Sequence, residues 1–338
     1  MTTIHKILVI QTAFIGDVIL ITPLLSALKE IYPESIIDVL VSRKCEIVLK
    51  NNPVVNKIHK LNKRNFWQAI QNIKKGKYDL SVSPHSSIRS GVTAFLAGIK
   101  HRIGFKRYAQ QLFLTNSIEH RKGVHKIEKN LDLMKLLPEQ TSNQVFNKQT
   151  KLCPTSENYI KADGIMEGFT SMKKVLLAPG SVWFTKRWPT EHYNELASML
   201  LEQGYMVILA GSPEEKALCD EIAGNQKNYY NLKNITGSFD ILDTAALVEK
   251  VNLVVCNDSG MMHIANAMKT RVFAFFGPTV QGIGYYPYQQ NDFIFEVDLP
   301  CRPCGSHGGV HCPLRHFNCM RAIKPETVFN KINEALCL

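Results

Sequence analysis

One carboxylate stands out near the amino end of the chain, where the apolar run Lys6 to Gln11 gives way to a helical pattern. Gly16 permits a tight backbone at this point, and Asp17 falls in the first turn of the helix that follows. A carboxylate there can cap the helix or act as a general base. Taken alone, capping is the stronger interpretation. A single glycine also falls short of G-x-G-x-x-G, which disfavours a dinucleotide site.

A second segment carries groups suited to phosphate oxygens. Thr185, Lys186 and Arg187 gather one hydroxyl and two cationic side chains ahead of Trp188 and Pro189. Proline is favoured at the first position of a helix, so this segment is predicted to be the turn between a strand and a helix. The alternative is an exposed basic loop packed by tryptophan.

A third segment, Asp258-Ser259-Gly260, ends an apolar run and passes directly into a helix. Free backbone N–H groups at such a helix start favour a diphosphate. Asp-Ser is also an ordinary helix cap, so a purely structural role stays open. For His263, about one turn into the helix, a core or capping hydrogen bond is the simpler interpretation.

Two further segments could line the same pocket. Glu214 and Glu215 follow another predicted strand, and a carboxylate there can accept hydrogen bonds from ribose hydroxyls, although helix capping explains the pair almost as well. Thr279 lies in Gly277-Pro278-Thr279, which follows the predicted strand over 271–276.

Candidate contacts for a second substrate follow the predicted strand Tyr78 to Ser83. His85, Ser86 and Arg89 could bind phosphate or sugar carboxylates, and a solvated helix start is the equally good alternative.

Four cysteines near the carboxyl end could form a zinc site. They are Cys301, Cys304, Cys312 and Cys319, with His307, His311 and His316 among them. Only the first pair has the tight spacing of a zinc knuckle. We therefore predict structural packing or an oxidisable thiol cluster and no metal, with zinc as the alternative.

The elements that would position these residues alternate between strand and helix in both halves. Apolar runs predict strands over 6–11, 36–41, 78–83, 174–178, 205–210, 253–257 and 271–276. Helical patterns lie between them, the first of which predicts one helix from Gly16 to Ile31. This alternation predicts an α/β fold with two doubly wound parallel sheets facing a cleft. We predict domains over 1–168 and 169–338, with a last helix over about 324–336 that could cross back to the first domain.

The chain length, the lengths of the apolar runs and the net charge restrict the class of protein. A chain of 338 residues exceeds what one hydrophobic core usually serves, so we expect two domains. No run of about eighteen apolar residues occurs, which disfavours a membrane-spanning helix, so we expect a cytoplasmic protein. The net charge of +11 predicts an anionic partner, such as a phosphorylated glycolipid, a membrane surface or nucleic acid. Aromatic residues are not interleaved with the basic clusters, which disfavours nucleic acid.

Taken together, these segments resemble glycosyltransferase family 9, the ADP-heptose:lipopolysaccharide heptosyltransferases. The resemblance covers nearly the whole chain and is closer to the second heptosyltransferase branch. It rests on Gly16-Asp17-Val18-Ile19-Leu20 with Thr22-Pro23-Leu24, Arg102-Ile103-Gly104-Phe105, Lys186-Arg187-Trp188-Pro189, Asn257-Asp258-Ser259-Gly260 with His263, and Phe276-Gly277-Pro278-Thr279. Each motif is weak singly, but their order and separations make the set specific.

The resemblance implies a GT-B fold and an inverting transfer from ADP-heptose. The resemblance further implies that Asp17 is the catalytic base, that Lys186 neutralises the departing diphosphate and that Asp258 binds the donor. The remaining expected donor contacts are Thr185, Glu214 or Glu215, Ser259, Gly260, His263 and Thr279; the expected acceptor contacts are Gly16, His85, Ser86 and Arg89. No Asp-x-Asp pair occurs, so we expect no metal or other cofactor to be required.

The expected partners are the nucleotide-sugar donor and the lipopolysaccharide core, with peripheral contact at the cytoplasmic face of the anionic inner membrane and no nucleic acid. Three alternatives stay open at this point. They are transfer from another nucleotide-sugar, a nucleotide-sugar epimerase, and a non-catalytic protein that binds anionic glycolipid.

Overall fold

The computed structural model describes residues 4–61, 66–139 and 144–337. Contacts divide the chain into two units, Met1–Cys153 and Pro154–Leu338. The boundary predicted after residue 168 therefore falls inside the second of these units.

The first unit is built on a six-stranded parallel sheet in the order β3-β2-β1-β4-β5-β6. Its strands are β1 Lys6–Gln11, β2 Ile36–Ser42, β3 Lys57–Leu61, β4 Leu80–Ser83, β5 His101–Phe105 and β6 Asn116–Ile118. Its helices are α1 Ile15–Ile19, α2 Thr22–Ile31, α3 Glu46–Leu49, α4 Phe66–Gly76, α5 Ile88–Leu96 and α6 Lys126–Asp132.

The second unit repeats this arrangement, with a parallel sheet in the order β12-β11-β10-β7-β8-β9. Its strands are β7 Lys174–Ala178, β8 Met206–Leu209, β9 Leu232–Asn234, β10 Leu253–Asn257, β11 Val272–Phe276 and β12 Phe293–Glu296. Its helices are α7 Ser156–Met166, α8 Thr190–Glu202, α9 Lys216–Asn225, α10 Ile241–Glu249, α11 Gly260–Ala267, α12 Asn318–Arg321 and α13 Pro325–Cys337. The predicted doubly wound α/β class is confirmed.

The central strands explain why the apolar runs predicted them so well. In β1, Ile7 through Ile10 are fully buried, and in β10 the same holds for Leu253 through Asn257. A parallel strand with helices on both faces is covered on both sides, so most of its residues are apolar. The bounds predicted for β1, β7 and β10 agree with the structure residue for residue.

The sequence pattern missed the four edge strands and also β5, which lies between β4 and β6. The strands β3, β6, β9 and β12 each have a single neighbour in their sheet, and β6 and β9 are only three residues long. The strands β3, β6 and β9 carry polar residues, as in Lys57–Leu61, and show no apolar run, whereas β12 has only a short one, from Phe293 to Phe295.

The single helix expected from Gly16 to Ile31 is instead two helices, α1 and α2. Pro23 lies at the start of α2 and has no N–H to donate to the Ile19 carbonyl. The Thr22 hydroxyl donates to that carbonyl instead, at 2.8 Å. Proline therefore ends the first helix, and the backbone acceptor that it leaves open is satisfied by its neighbour.

Two helices at the ends of the second unit pack inside it. The α7 helix is tied to α10, because Asn158 Nδ2 donates to Asp243 Oδ1 at 2.7 Å. The α13 helix, predicted as one that could cross to the first domain, packs on α8 and buries Val328 and Ile332. Its apolar stripe thus completes the core of its own unit.

Among the described residues, no helix combines the length and apolar character needed to cross a bilayer. The longest helices there, α8 and α13, have 13 residues each, whereas a span takes about 20.

Candidate active site

Both sheets have a topological switch point, where the strand order reverses and a crevice opens beyond the strand ends. In the first unit it lies between β1 and β4, and in the second between β7 and β10. Asp17, His85, Lys186 and Asp258 lie in segments that follow these four strands, whereas Glu214 and Glu215 follow β8 and Thr279 follows β11.

In the first unit, Thr12 and His85 meet across the switch point. Thr12 follows β1, His85 lies two residues beyond β4, and Thr12 Oγ1 is hydrogen-bonded to His85 Nδ1 at 3.0 Å. Asp17 is half-buried on α1 nearby and attracts the imidazolium form. Burial nevertheless lowers the pKa of His85, and the surrounding cations lower it further. His85 is therefore a neutral imidazole at pH 7, next to a carboxylate.

A second imidazole lies beside Ser86. Ser86 Oγ is hydrogen-bonded to His120 Nε2 at 2.8 Å, and the His120 ring stacks on Phe105 with centroids 3.8 Å apart. Burial, helped by Lys126 and other cations, lowers the pKa of His120 to about 4. Arg89 lies exposed on α5, so it can reach a ligand from the solvent side.

A buried lysine lies in this part of the first unit and was not predicted. Lys126 begins α6, and its Nζ donates to the Pro84 carbonyl at 3.4 Å and lies 5.2 Å from the centre of the Phe105 ring. Burial lowers the pKa of Lys126 to about 8, while Asp17 opposes that change. An ammonium group kept out of water next to a carboxylate is a feature of functional sites. Its sequence signal is slight, because a lysine at a helix start looks like a surface residue.

In the second unit, Asn257 joins the two strands at the switch point. It is the last residue of β10 and is fully buried. Its Nδ2 donates to the carbonyls of Pro179, at 2.8 Å, and Gly180, at 3.1 Å, and its Oδ1 accepts from the Trp188 backbone N–H at 2.9 Å. This one amide holds the segment after β7 against the end of β10. It was quoted in a motif but not predicted as a site residue.

The predicted lysine and aspartate of the second unit form an ion pair. Lys186 Nζ lies 2.5 Å from Asp258 Oδ2, and their side chains are only 12% and 8% exposed. Thr279 Oγ1 donates to the same carboxylate oxygen at 2.7 Å. Three separately predicted residues thus converge, and the cation is held at the end of the sheet by a carboxylate.

Comparison with known proteins identifies the family. Residues 66–311 match the model of glycosyltransferase family 9 (heptosyltransferase). The chain belongs to glycosyltransferase family 9.

Relatives and solved structures agree with this assignment. The chain is 27% identical to the lipopolysaccharide heptosyltransferase 2 of Salmonella typhimurium over 301 residues, covering 81% of this chain and 83% of that protein. It is 27% identical to the lipooligosaccharide heptosyltransferase 2 of Haemophilus influenzae, covering 98% and 99%. The structure of Escherichia coli ADP-heptose lps heptosyltransferase II superposes with a TM-score of 0.81 at 22% identity, covering 98% and 99%. The GT-B fold and the glycosyltransferase activity predicted from the motifs are confirmed.

Within this family 9 chain, the second-unit residues fall into two groups. Ser259 caps α11 without a side-chain capping bond to any described residue, and Gly260 opens the helix, so backbone N–H groups are presented there. Thr185, in contrast, is buried, and its hydroxyl accepts from the Gly309 N–H at 2.7 Å. His263 is buried on α11 with its ring 6.5 Å from that of Tyr285. Donor roles for all four stay predictions.

The structure separates the two glutamates that the sequence could not. Glu215 turns inward: its Oε2 accepts from the Ser212 N–H at 2.8 Å, and it lies so close to Gly180 that a Cβ there would be 1.9 Å from Oε1. Glu214 is exposed. Glu215 thus lies just beyond the end of β7, and a methyl group at Gly180 would force the Glu215 carboxylate to move.

The cysteine cluster borders the Lys186 segment. A cavity of about 100 Å³ is lined by Cys304, Cys312 and Cys319 together with Thr185. Cys301 Sγ lies 3.9 Å from His316 Nε2. Within the described ranges, no three cysteine, histidine or carboxylate side chains are arranged to hold a metal ion.

Proposed function

We propose that this glycosyltransferase transfers a heptose from ADP-heptose to the lipopolysaccharide inner core, with inversion at the anomeric carbon. The observation that carries the proposal is the Lys186–Asp258–Thr279 cluster at the second switch point, in a family whose named relatives are heptosyltransferases. The donor is assigned from the resemblance and from the chemistry of this cluster.

The second unit supplies what a leaving diphosphate needs. As the glycosidic bond breaks, negative charge accumulates on the departing phosphate, and a cation already fixed in place stabilises it without reorganisation. Lys186 is fixed by Asp258, and the start of α11 adds backbone N–H donors. These groups can replace a metal ion, so we propose that no metal cofactor is required.

The first unit supplies the base. In a direct displacement, the acceptor O–H bond breaks, its proton passes to the Asp17 carboxylate, and the oxygen forms the new bond to the anomeric carbon. The bond to the diphosphate breaks at the same time, and ADP leaves with that electron pair. Asp17 later returns the proton to water. Because Asp17 and Lys186 belong to different units, one turnover has to use residues of both.

The acceptor contacts are proposed for the first unit. Gly16, His85, Ser86 and Arg89 are retained as candidates, because Thr12 and His85 meet at the switch point and Arg89 is exposed beside it. A lipid-linked acceptor would place the protein at the cytoplasmic face of the inner membrane as a peripheral protein.

Replacing Asp17 by Asn tests the base. ADP release from ADP-heptose is measured with and without a truncated lipopolysaccharide acceptor, and Asp17→Asn is expected to reduce acceptor-dependent release by about 10² to 10⁴-fold. Binding of ADP-heptose should change little, because the donor contacts lie in the second unit. Asp163→Asn is the matched control, since Asp163 is an exposed carboxylate on α7 paired with Lys250.

The same assay distinguishes the alternatives. Turnover that ignores the acceptor would favour an epimerase, and turnover with another nucleotide-sugar but not ADP-heptose would reassign the donor. Full activity in Asp17→Asn would rule out Asp17 as the base.

A further inference from the structure

The α5 helix of the first unit exposes an apolar stripe. Ile88, Phe95 and Leu96 are 51%, 50% and 38% exposed, and Val92 lies between them at the same helical spacing. The opposite side of α5 is buried through Thr93 and Ala94 and already packs in the unit. A surface helix normally places its apolar stripe inward and its polar residues outward. The outward stripe of α5 is therefore additional to the one that the fold needs.

A 3-10 turn that follows β5 and packs on α5 adds another exposed apolar side chain. Leu112, in the 3-10 turn Tyr108–Phe113, is 76% exposed, and the turn packs on α5 with the Phe95 and Phe113 rings 5.7 Å apart. We call Ile88, Val92, Phe95, Leu96 and Leu112 the α5 surface. Four of these side chains are exposed and Val92 is half-buried, and a group of large apolar side chains facing solvent is typical of a docking surface.

The charge around the α5 surface has one sign. Between Asp79 and Glu119 the sequence holds five lysines or arginines and no aspartate or glutamate. Arg89 is exposed in the first turn of α5, and Lys100 is exposed four residues beyond the end of that helix. The Arg102 guanidinium lies 5.5 Å from the centre of the Phe95 ring. A partner that covers these apolar residues must also accept the cations around them.

The neighbouring α4 helix adds the same combination. Trp67 is 68% exposed, and Lys74, two turns later on the same side of the helix, is exposed as well. The α4 helix packs against α5. Tryptophan and lysine side chains with an apolar body and a polar end are suited to the boundary between headgroups and acyl chains.

We propose that the α5 surface docks on an anionic phospholipid bilayer, with Ile88, Phe95, Leu96 and Leu112 entering the headgroup boundary and Lys100 contacting lipid phosphates. An acidic protein would satisfy the charges, but a flat lipid surface also accepts the whole stripe without a matching pocket. The inference builds on the proposed function, since α5 begins three residues after His85 and would hold the acceptor contacts at the membrane surface.

Co-sedimentation of the full chain with vesicles tests the docking. Vesicles of phosphatidylethanolamine and phosphatidylglycerol are compared with vesicles of phosphatidylcholine alone, without donor or acceptor. The wild-type chain is expected to sediment with the anionic vesicles only, and less so in high salt. Leu112→Ser and Phe95→Ser should each weaken binding by roughly tenfold, and Lys100→Glu should weaken it on anionic vesicles.

Ile160→Ser is the matched control, because Ile160 is 72% exposed on α7 in the second unit. It should bind vesicles like the wild type, and circular dichroism should show all variants folded. The proposal is overturned if the wild type does not sediment, if Leu112→Ser and Phe95→Ser sediment like the wild type, or if they only abolish self-association seen in ultracentrifugation. Transfer to a soluble truncated acceptor, measured without vesicles, should be unchanged in Leu112→Ser. A chain that binds vesicles but transfers nothing would refute the proposed function and leave the docking surface standing.

Discussion

Replacement of Lys126 by methionine is expected to make the protein more stable at neutral pH. Methionine has nearly the same length and fills the same space between Pro84 and Phe105, but it carries no charge to desolvate. A residue that costs stability where it lies is one that the fold did not require, so the result would mark Lys126 as functional.

The size of the expected stabilisation follows from the shifted pKa of Lys126. Its pKa falls from 10.5 to about 8, and each tenfold change in proton affinity is worth about 1.4 kcal/mol, so burial costs about 3 kcal/mol. The variant loses the hydrogen bond to the Pro84 carbonyl, worth about 1 kcal/mol. We therefore expect the free energy of unfolding at pH 7 to rise by about 2 kcal/mol.

The stability difference between the wild type and Lys126→Met depends on pH. Below pH 8 the folded and the unfolded wild-type chain both hold this proton, so the full cost is present. Between pH 8 and 10.5 the unfolded chain binds it and the folded chain does not, so wild-type stability rises with pH relative to the variant. The advantage of Lys126→Met should thus shrink towards pH 10.5.

Urea unfolding followed by circular dichroism at pH 7 and pH 10 measures this difference. Lys122→Met makes the same change at an exposed lysine of the first unit and should leave stability within about 0.5 kcal/mol at both pH values. A Lys126→Met variant that is less stable than the wild type at pH 7, or whose advantage is the same at pH 10, would refute the reasoning.

Two further predictions concern the second unit. Asp258→Asn leaves the nearly buried Lys186 without its counter-charge and should lower the free energy of unfolding by about 3 kcal/mol in a urea titration, whereas adding Lys186→Met should restore much of that loss; no recovery in the double variant would contradict the pairing. Gly180→Ala forces the Glu215 carboxylate to move and should weaken ADP-heptose binding in calorimetry. Gly224→Ala, in α9 with open space around it, should leave binding unchanged and stabilise by about 0.5 to 1 kcal/mol; equal binding by the two variants would contradict the steric argument.

The central strands show what composition alone can specify. The runs at β1, β7 and β10 are apolar because both faces of each strand are covered, so consecutive residues in the sequence are apolar. The edge strands β3, β6, β9 and β12 meet no such requirement and left no comparable signal.

The break between α1 and α2 could have been predicted from the sequence, although a single helix was expected there. Pro23 stands in the sequence, and its missing N–H ends a helix on physical grounds alone. The hydrogen bond from Thr22 to the Ile19 carbonyl shows how the chain accommodates it.

By itself, the sequence determined the α/β class, the central strands and the segments that follow them, because these depend on local periodicity and on which residues lie at a strand's end. Only the tertiary structure decided which of these residues meet. Thr12 and His85 are 73 positions apart and Lys186 and Asp258 are 72 apart, yet each pair is in contact because parallel strands bring distant carboxyl ends to one edge. It also decided that the Thr185 hydroxyl is bonded to Gly309 and that Lys126 is buried, since burial depends on what other elements cover.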